Sequence, residues 1–275
     1  MKEGEYGSIF RRDAAREGIV RGCGHFWQQL SRECEIDLLE GLAASDRVNS
    51  SAAHSIIMDN PDSFPCQLIS WDEAYRLSRE LARAIKSSRY EPDLVVAIGR
   101  GGYVPARIVC DFLLHSLLTS IKIEHWDIAA CKRPQASVRF PLAVDVRGQK
   151  ILIVDDVTDT GDTLKEAIDY VKSEGAGQIK TAVMQHKTSS DIVPDYYADL
   201  ISDWRWIIYP WAAYEDVLGF TERVLSYEPA SVAEIGTALK ERFSLTVDSE
   251  SLREILGDLV DLKKARRDED RYRRI

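Results

Sequence analysis

The run from Lys150 to Asp156, KILIVDD, is the feature that most constrains the fold. Ile151 to Val154 are four aliphatic residues with no polar alternation, so the strand they form is covered on both faces. Strands of that kind belong to a parallel sheet held between layers of helix, and the chain supplies the other pieces. DLVVAIG, TSIKIEHW and IKTAVMQH read as further strands, and DWRWIIYPW gives a last short one. SWDEAYRLSRELARAIKSS reads as a helix, with Ser70 as N-cap and Glu73 three residues on, the spacing of a capping box. YVPARIVCDFLLHSLL and TLKEAIDYVKSEG are two more helices, the second stopping at Gly175. The alternation predicts an α/β fold, an open, mostly parallel sheet flanked by helices. The stretch from Asp127 to Gln149, which holds Lys132, Arg133, Pro134 and Arg139, reads as a loop.

A chain of 275 residues has room for one medium domain with additions at its ends. Residues 1–57 lack a sustained period, apart from a short helix expected around Phe26 to Leu42. They are read as an N-terminal extension that buries too little apolar surface to offset its ordering entropy. Met58, just before the dense patterning, is a candidate natural start. The main domain is expected over 66–227. Beyond it, 229–275 shows helical spacing at Val232, Ile235, Leu239 and Phe243, then at Leu252, Ile255, Leu256, Leu259 and Leu262. This predicts a small helical appendage with a charged tail, KKARRDEDRYRRI, faintly resembling a winged helix.

Composition excludes several classes of function. No apolar run approaches the roughly 18 residues that cross a bilayer, and no signal-peptide core opens the chain. The five cysteines are scattered without a CxxC pair, so a cytoplasmic, reducing compartment is expected. A net charge of −9 makes nucleic acid an improbable partner for the whole molecule.

In an open α/β sheet, ligands bind beyond the carboxyl ends of the strands. Asp155 and Asp156 stand at such an end, and TDTGDT turns from them into the next helix. The first turn of that helix offers unpaired N–H groups and a dipole that favours phosphate, and Gly161 lets the backbone come close. The two carboxylates suit vicinal hydroxyls of a sugar or a magnesium ion. Neither GxxxxGK[ST] nor a GxGxxG following a strand is present, so nucleotide loops of those types are excluded.

ILIVDDVTDTGDTL, residues Ile151 to Leu164, resembles the phosphoribosyl pyrophosphate (PRPP) signature of the type I phosphoribosyltransferases. The resemblance covers roughly Cys66 to Leu225. It implies that Asp155 and Asp156 hold the ribose hydroxyls and Mg2+, and that Thr158, Thr160, Gly161, Asp162 and Thr163 bind PRPP around its 5′-phosphate. VVAIGRGGYVPAR resembles the family's diphosphate loop, with Arg100, Gly101 and Gly102 as its contacts and a cis peptide at Gly99–Arg100. A loop over Asp127 to Val144 would close over the site and exclude water. The residues after the signature are most similar to those of the 6-oxopurine enzymes. That likeness implies Lys187 at the purine oxo group, Trp206 stacked on the ring, Ile207 beside its edge and Asp159 as general base. His186 reads as a packed or surface residue instead. Thr188 and Ala212 depart from that pattern, at places where a proline and an acid are common, and leave open the choice among guanine, xanthine and hypoxanthine.

The implied activity is transfer of a phosphoribosyl group from PRPP to a purine base in nucleotide salvage, by a homo-oligomeric soluble enzyme with a small hood over its base pocket. One alternative is a PRPP-sensing regulator that uses the appendage. Another is a transferase for a different acceptor.

Overall fold

The computed structural model describes residues 63–126 and 132–275. The expected N-terminal extension, 1–57, and its helix around Phe26 therefore lie outside the described residues. The described residues form two compact units, one of 63–219 with 242–245, the other of 220–241 with 246–275.

The first unit is built on a six-stranded sheet. Its strands are β2 (Leu94–Gly99), β3 (Leu118–Trp126), β4 (Lys132–Phe140), β5 (Lys150–Thr158), β6 (Gln178–Lys187) and β7 (Tyr196–Ile201). They lie in the order β4-β3-β2-β5-β6-β7, all parallel except β4. Strand period explains the two cores. Val95, Ala97, Leu152 and Val154 face helices α1 (Trp71–Ser87) and α2 (Tyr103–Leu113), where they meet Leu81, Ile85 and Val109. Leu94, Val96, Ile98, Ile151 and Ile153 face the other way and meet Leu164, Ala167 and Val171 of α3 (Asp162–Ser173). As predicted, Ser70 caps α1, accepting from the Glu73 N–H at 3.1 Å.

A short parallel pair, β1 (Cys66–Leu68) with β8 (Trp206–Ile208), forms the hood. Ile69, Ala74, Leu77, Met184, Ile207 and Tyr209 pack beneath it.

The loop expected from Asp127 to Gln149 is corrected over 132–140. Residues 127–131 lie outside the described residues, but 132–140 is a strand, antiparallel to β3. Its proline and its charges belong on the edge of a sheet, where one side of the backbone needs no partner. That placement gives a strand the composition of a loop.

Helix α4 (Ala213–Val224) follows β8 in the chain. The second unit contains most of α5 (Val232–Phe243), together with α6 (Ser249–Asp261) and a three-stranded sheet ordered β10 (Ala265–Asp268), β11 (Arg271–Arg274), β9 (Ala230–Ser231). Leu252, Ile255, Leu256 and Leu259 are buried at the predicted spacing. The charged tail is an antiparallel hairpin and not an extension of the helices, with Ala265 and Tyr272 turned inward. Among the described residues no helix is long and apolar enough to cross a membrane.

Candidate active site

Four strand ends converge on a cleft of about 450 Å³. From β2 come Arg100 and Gly101, from β5 the stretch Asp155 to Gly161 with Thr163, from β6 Lys187, and from β8 Trp206 and Ile207. The expected site residues are thus brought together, with two qualifications. Gly102 lies under the cleft wall, and the Asp162 carboxylate accepts from Thr160 Oγ1 at 2.7 Å. Neither is among the residues lining the cleft.

Strand β2 ends in a turn that only glycine allows. The Gly99–Arg100 peptide is cis, as the sequence implied. A Cβ on Gly101 would collide with the Asp156 carboxylate, and one on Gly102 with the carbonyls of Val154 and Ile98. Gly102 is also the N-cap of α2 and has no side-chain cap; its own N–H donates to the Ile98 carbonyl at 2.8 Å and that of Tyr103 to the Arg100 carbonyl at 3.3 Å. Arg100 reaches Glu215 at 2.6 Å.

Asp155 and Asp156 are neighbours in an environment that penalises charge. Asp155 is buried and Asp156 half-buried. Burial, then the adjacent Asp156 charge, push the Asp155 carboxyl well above the usual range, with partial relief from the Asp156 N–H and Lys122. Burial raises Asp156 to about 6, against the relief of the Val157 N–H donated to it at 2.8 Å. The indole N–H of Trp211 faces this carboxylate as well, at a geometry short of a hydrogen bond. Two crowded carboxylates with raised pKa values suit a cation or hydroxyl donors. Among the described residues no cluster of three or more metal-ligating side chains exists. The pair therefore fits a magnesium ion that completes its shell with substrate oxygens and water, and does not fit an all-protein cage.

The turn after β5 leads into α3 through Gly161, at φ 93°. A side chain there would be strained and would crowd Ser190 and Ile192. No side chain caps the N-terminus of α3, and Thr160 and Thr163 line the space in front of it. An anion is the natural occupant of such a place. Thr158 lines the cleft too, but its hydroxyl pairs with His186 Nδ1 at 2.7 Å, which accounts for His186 as a buried, packed residue.

The Lys187 side of the cleft holds an arrangement that sequence reasoning missed. Lys187 and Asp159, expected to meet an acceptor at different atoms, are bonded to each other at 2.9 Å in a nearly water-free pocket. Burial lowers the pKa of Lys187, and the Asp159 charge offsets part of that fall. Trp204 donates its indole N–H to the second oxygen of Asp159 at 2.9 Å, and Lys187 Nζ sits 4.7 Å from the Trp204 ring. Ser189 donates to the Asp159 carbonyl at 3.1 Å. Trp206 lines the cleft and donates Nε1 to buried Asp216 at 3.2 Å. Tyr209 Oη lies 2.8 Å from Gln185 Oε1 and 3.2 Å from the Asp156 carbonyl, both acceptors for its one proton. The DWRWIIYPW segment offered a signal for Trp204, a second tryptophan two residues before Trp206 and just outside β8. Asp216, one helical turn beyond Ala212, offered none.

Residues 67–216 match the phosphoribosyl transferase domain family. The xanthine-guanine phosphoribosyltransferase of Idiomarina loihiensis is 32% identical over 144 residues, which span 52% of this chain and 84% of that protein. The hypoxanthine-guanine phosphoribosyltransferase of Saccharomyces cerevisiae is 27% identical over 154 residues, 50% of this chain and 69% of that protein. Among solved structures, a purine phosphoribosyltransferase from Pyrococcus horikoshii Ot3 aligns at 30% identity with a TM-score of 0.46, over 53% of this chain and 93% of that one.

Proposed function

This chain belongs to the phosphoribosyl transferase domain family, and we propose that it transfers the 5-phosphoribosyl group of PRPP to a 6-oxopurine, releasing diphosphate. The observation that carries the reading is the cleft in which Lys187, Asp159 and Trp206 stand beside the Asp155–Asp156 pair. A transferase for a purine needs both halves, whereas a sensor of PRPP alone needs only the acids and the phosphate turn.

The roles follow from the chemistry of each group. Thr160, Gly161 and Thr163 with the N-terminus of α3 take the 5′-phosphate. Asp155 and Asp156 take the ribose hydroxyls, and the turn at Arg100 and Gly101 takes the diphosphate. Mg2+, held by Asp155 and Asp156 together with PRPP oxygens, would neutralise charge on the leaving diphosphate. The ammonium of Lys187 meets the purine oxo group, and the Trp206 indole covers the ring. Asp159 accepts a proton from the purine as the ring nitrogen attacks the anomeric carbon, a contribution of about a hundredfold or more.

A second reading has one observation in its favour. Two helices followed by a hairpin, with a short strand added at β11, is the arrangement of a winged helix, which suggests a regulatory unit. Its second helix, α6, carries Glu250, Glu254, Asp258 and Asp261 against the single basic residue Arg253. Those acids argue against a duplex as its partner.

Incubation with PRPP, magnesium and a panel of bases, following diphosphate release, separates the readings. Turnover with guanine, xanthine or hypoxanthine is expected. Adenine as the best acceptor would remove the role given to Lys187, and silence with every base would favour the sensor.

A further inference from the structure

Both oxygens of the Asp159 carboxylate are occupied, Oδ2 by Lys187 and Oδ1 by Trp204, each at 2.9 Å. A carboxylate that is to take a proton from an incoming purine must give up one of these donors. Lys187 is the exchangeable one. Its ammonium ends a flexible four-carbon stem and lines the cleft, and its place at the acceptor's oxo group draws it away from Asp159. The indole is the fixed one. Trp204 is not among the residues lining the cleft, so it reaches the carboxylate from behind. The edge-to-face contact with Phe64, at 5.6 Å and 77°, holds its ring in place. An indole N–H is a donor only and keeps its proton throughout the ordinary pH range.

We infer that Trp204 is the positioning residue of Asp159: it pins Oδ1 so that Oδ2 stays aimed into the cleft when Lys187 moves to the acceptor. The Trp204 ring adds a second function. It lies 4.7 Å from Lys187 Nζ and gives the ammonium a surface to slide along. This inference rests on the purine-transferase reading above, since only a proton acceptor needs one oxygen held and the other released.

The plain alternative is that Trp204 fills space beside Phe64. Trp204→Phe separates the two, because it keeps an aromatic face and removes the N–H. Measured with PRPP and the best 6-oxopurine, kcat is expected to fall about ten- to a hundredfold, the worth of a hydrogen bond to a charged group. KM for PRPP should stay within about twofold, because the ribose and phosphate contacts are untouched. In an Asp159→Asn background the same substitution should change kcat by less than about twofold, since the charge it positions is gone. A benzothienylalanine at 204, which has the indole shape without its N–H, should reproduce the loss even if Trp204→Phe folds poorly. An active wild type with unchanged kcat in these variants, or equal losses in both backgrounds, overturns the inference alone. A wild type silent with every purine removes the transferase reading and the inference with it.

Discussion

Asp156→Asn should make the unliganded protein more stable at neutral pH while abolishing its use of PRPP. The folded state holds the Asp156 carboxyl at about 6, against 3.8 for the ordinary side chain. A group whose folded pKa is raised binds its proton more tightly folded than unfolded, so stability falls as pH rises between the two values. The loss runs from about pH 4 to about pH 6 and is complete at neutral pH. At about 1.4 kcal/mol per pKa unit the shift corresponds to about 3 kcal/mol, and sharing of the titration with Asp155 makes about 1–3 kcal/mol the working range. Asparagine removes the charge but keeps the acceptor for the Val157 N–H. It also relieves Asp155, whose carboxyl the Asp156 charge pushes up. Urea unfolding followed from pH 4 to pH 8 should show the two proteins converging in acid and the variant ahead by that margin above about pH 6, a thermal gain of about 2–4 °C per kcal/mol for a domain of this size. A variant no more stable than wild type at pH 8, or one with the same gain at pH 4, would refute the reasoning.

Asp159→Asn should leave KM for PRPP nearly unchanged while lowering kcat about ten- to a thousandfold; full turnover would remove Asp159 from the chemistry. Lys187→Met strands a buried carboxylate and should cost about 3–5 kcal/mol of unfolding free energy, part of which Asp159→Asn restores in the double variant. Additive losses in urea titrations would show that the pair is not coupled. Gly161→Ala forces a side chain into a left-handed backbone against Ser190 and should cost about 1–2 kcal/mol, while raising KM for PRPP more than KM for the base. An unaltered thermal midpoint would contradict the geometry of that turn.

The sheet and the turn after β5 were legible because they depend on local signals. An unbroken aliphatic run such as Ile151–Val154 has one way to be satisfied, between two layers, and the residues after it then stand at a strand end. The antiparallel strand over 132–140 was not legible, because an edge strand needs only one buried row and takes the polar composition of a loop. Strand β7, YYADLI, was missed because it is short and follows the polar run TSSDIVPD. The hairpin in the charged tail was hidden by its alternating arginines, whose cross-strand neighbours no local window contains. At the site, the sequence named Asp159 and Lys187 but not their bond. They lie 28 residues apart on different strand ends, and register alone joins them. Trp204 was hidden behind Trp206, which had the same chemistry and a stronger claim by likeness.

The unlike edges of the six-stranded sheet bear on how this protein fails in solution. Strand β4 closes one side with a proline and several cations in its sequence, which discourage any further strand from adding there. On the other side β7 reads YYADLI, with neither lysine nor proline, and among the described residues no strand pairs with its outer row. Tyr197 and Leu200 are exposed along it. An edge without a partner strand among the described residues is a template for another chain, so stacking at high concentration or on mild heating is expected to start from β7. A lysine in place of Leu200 is the substitution that would slow it.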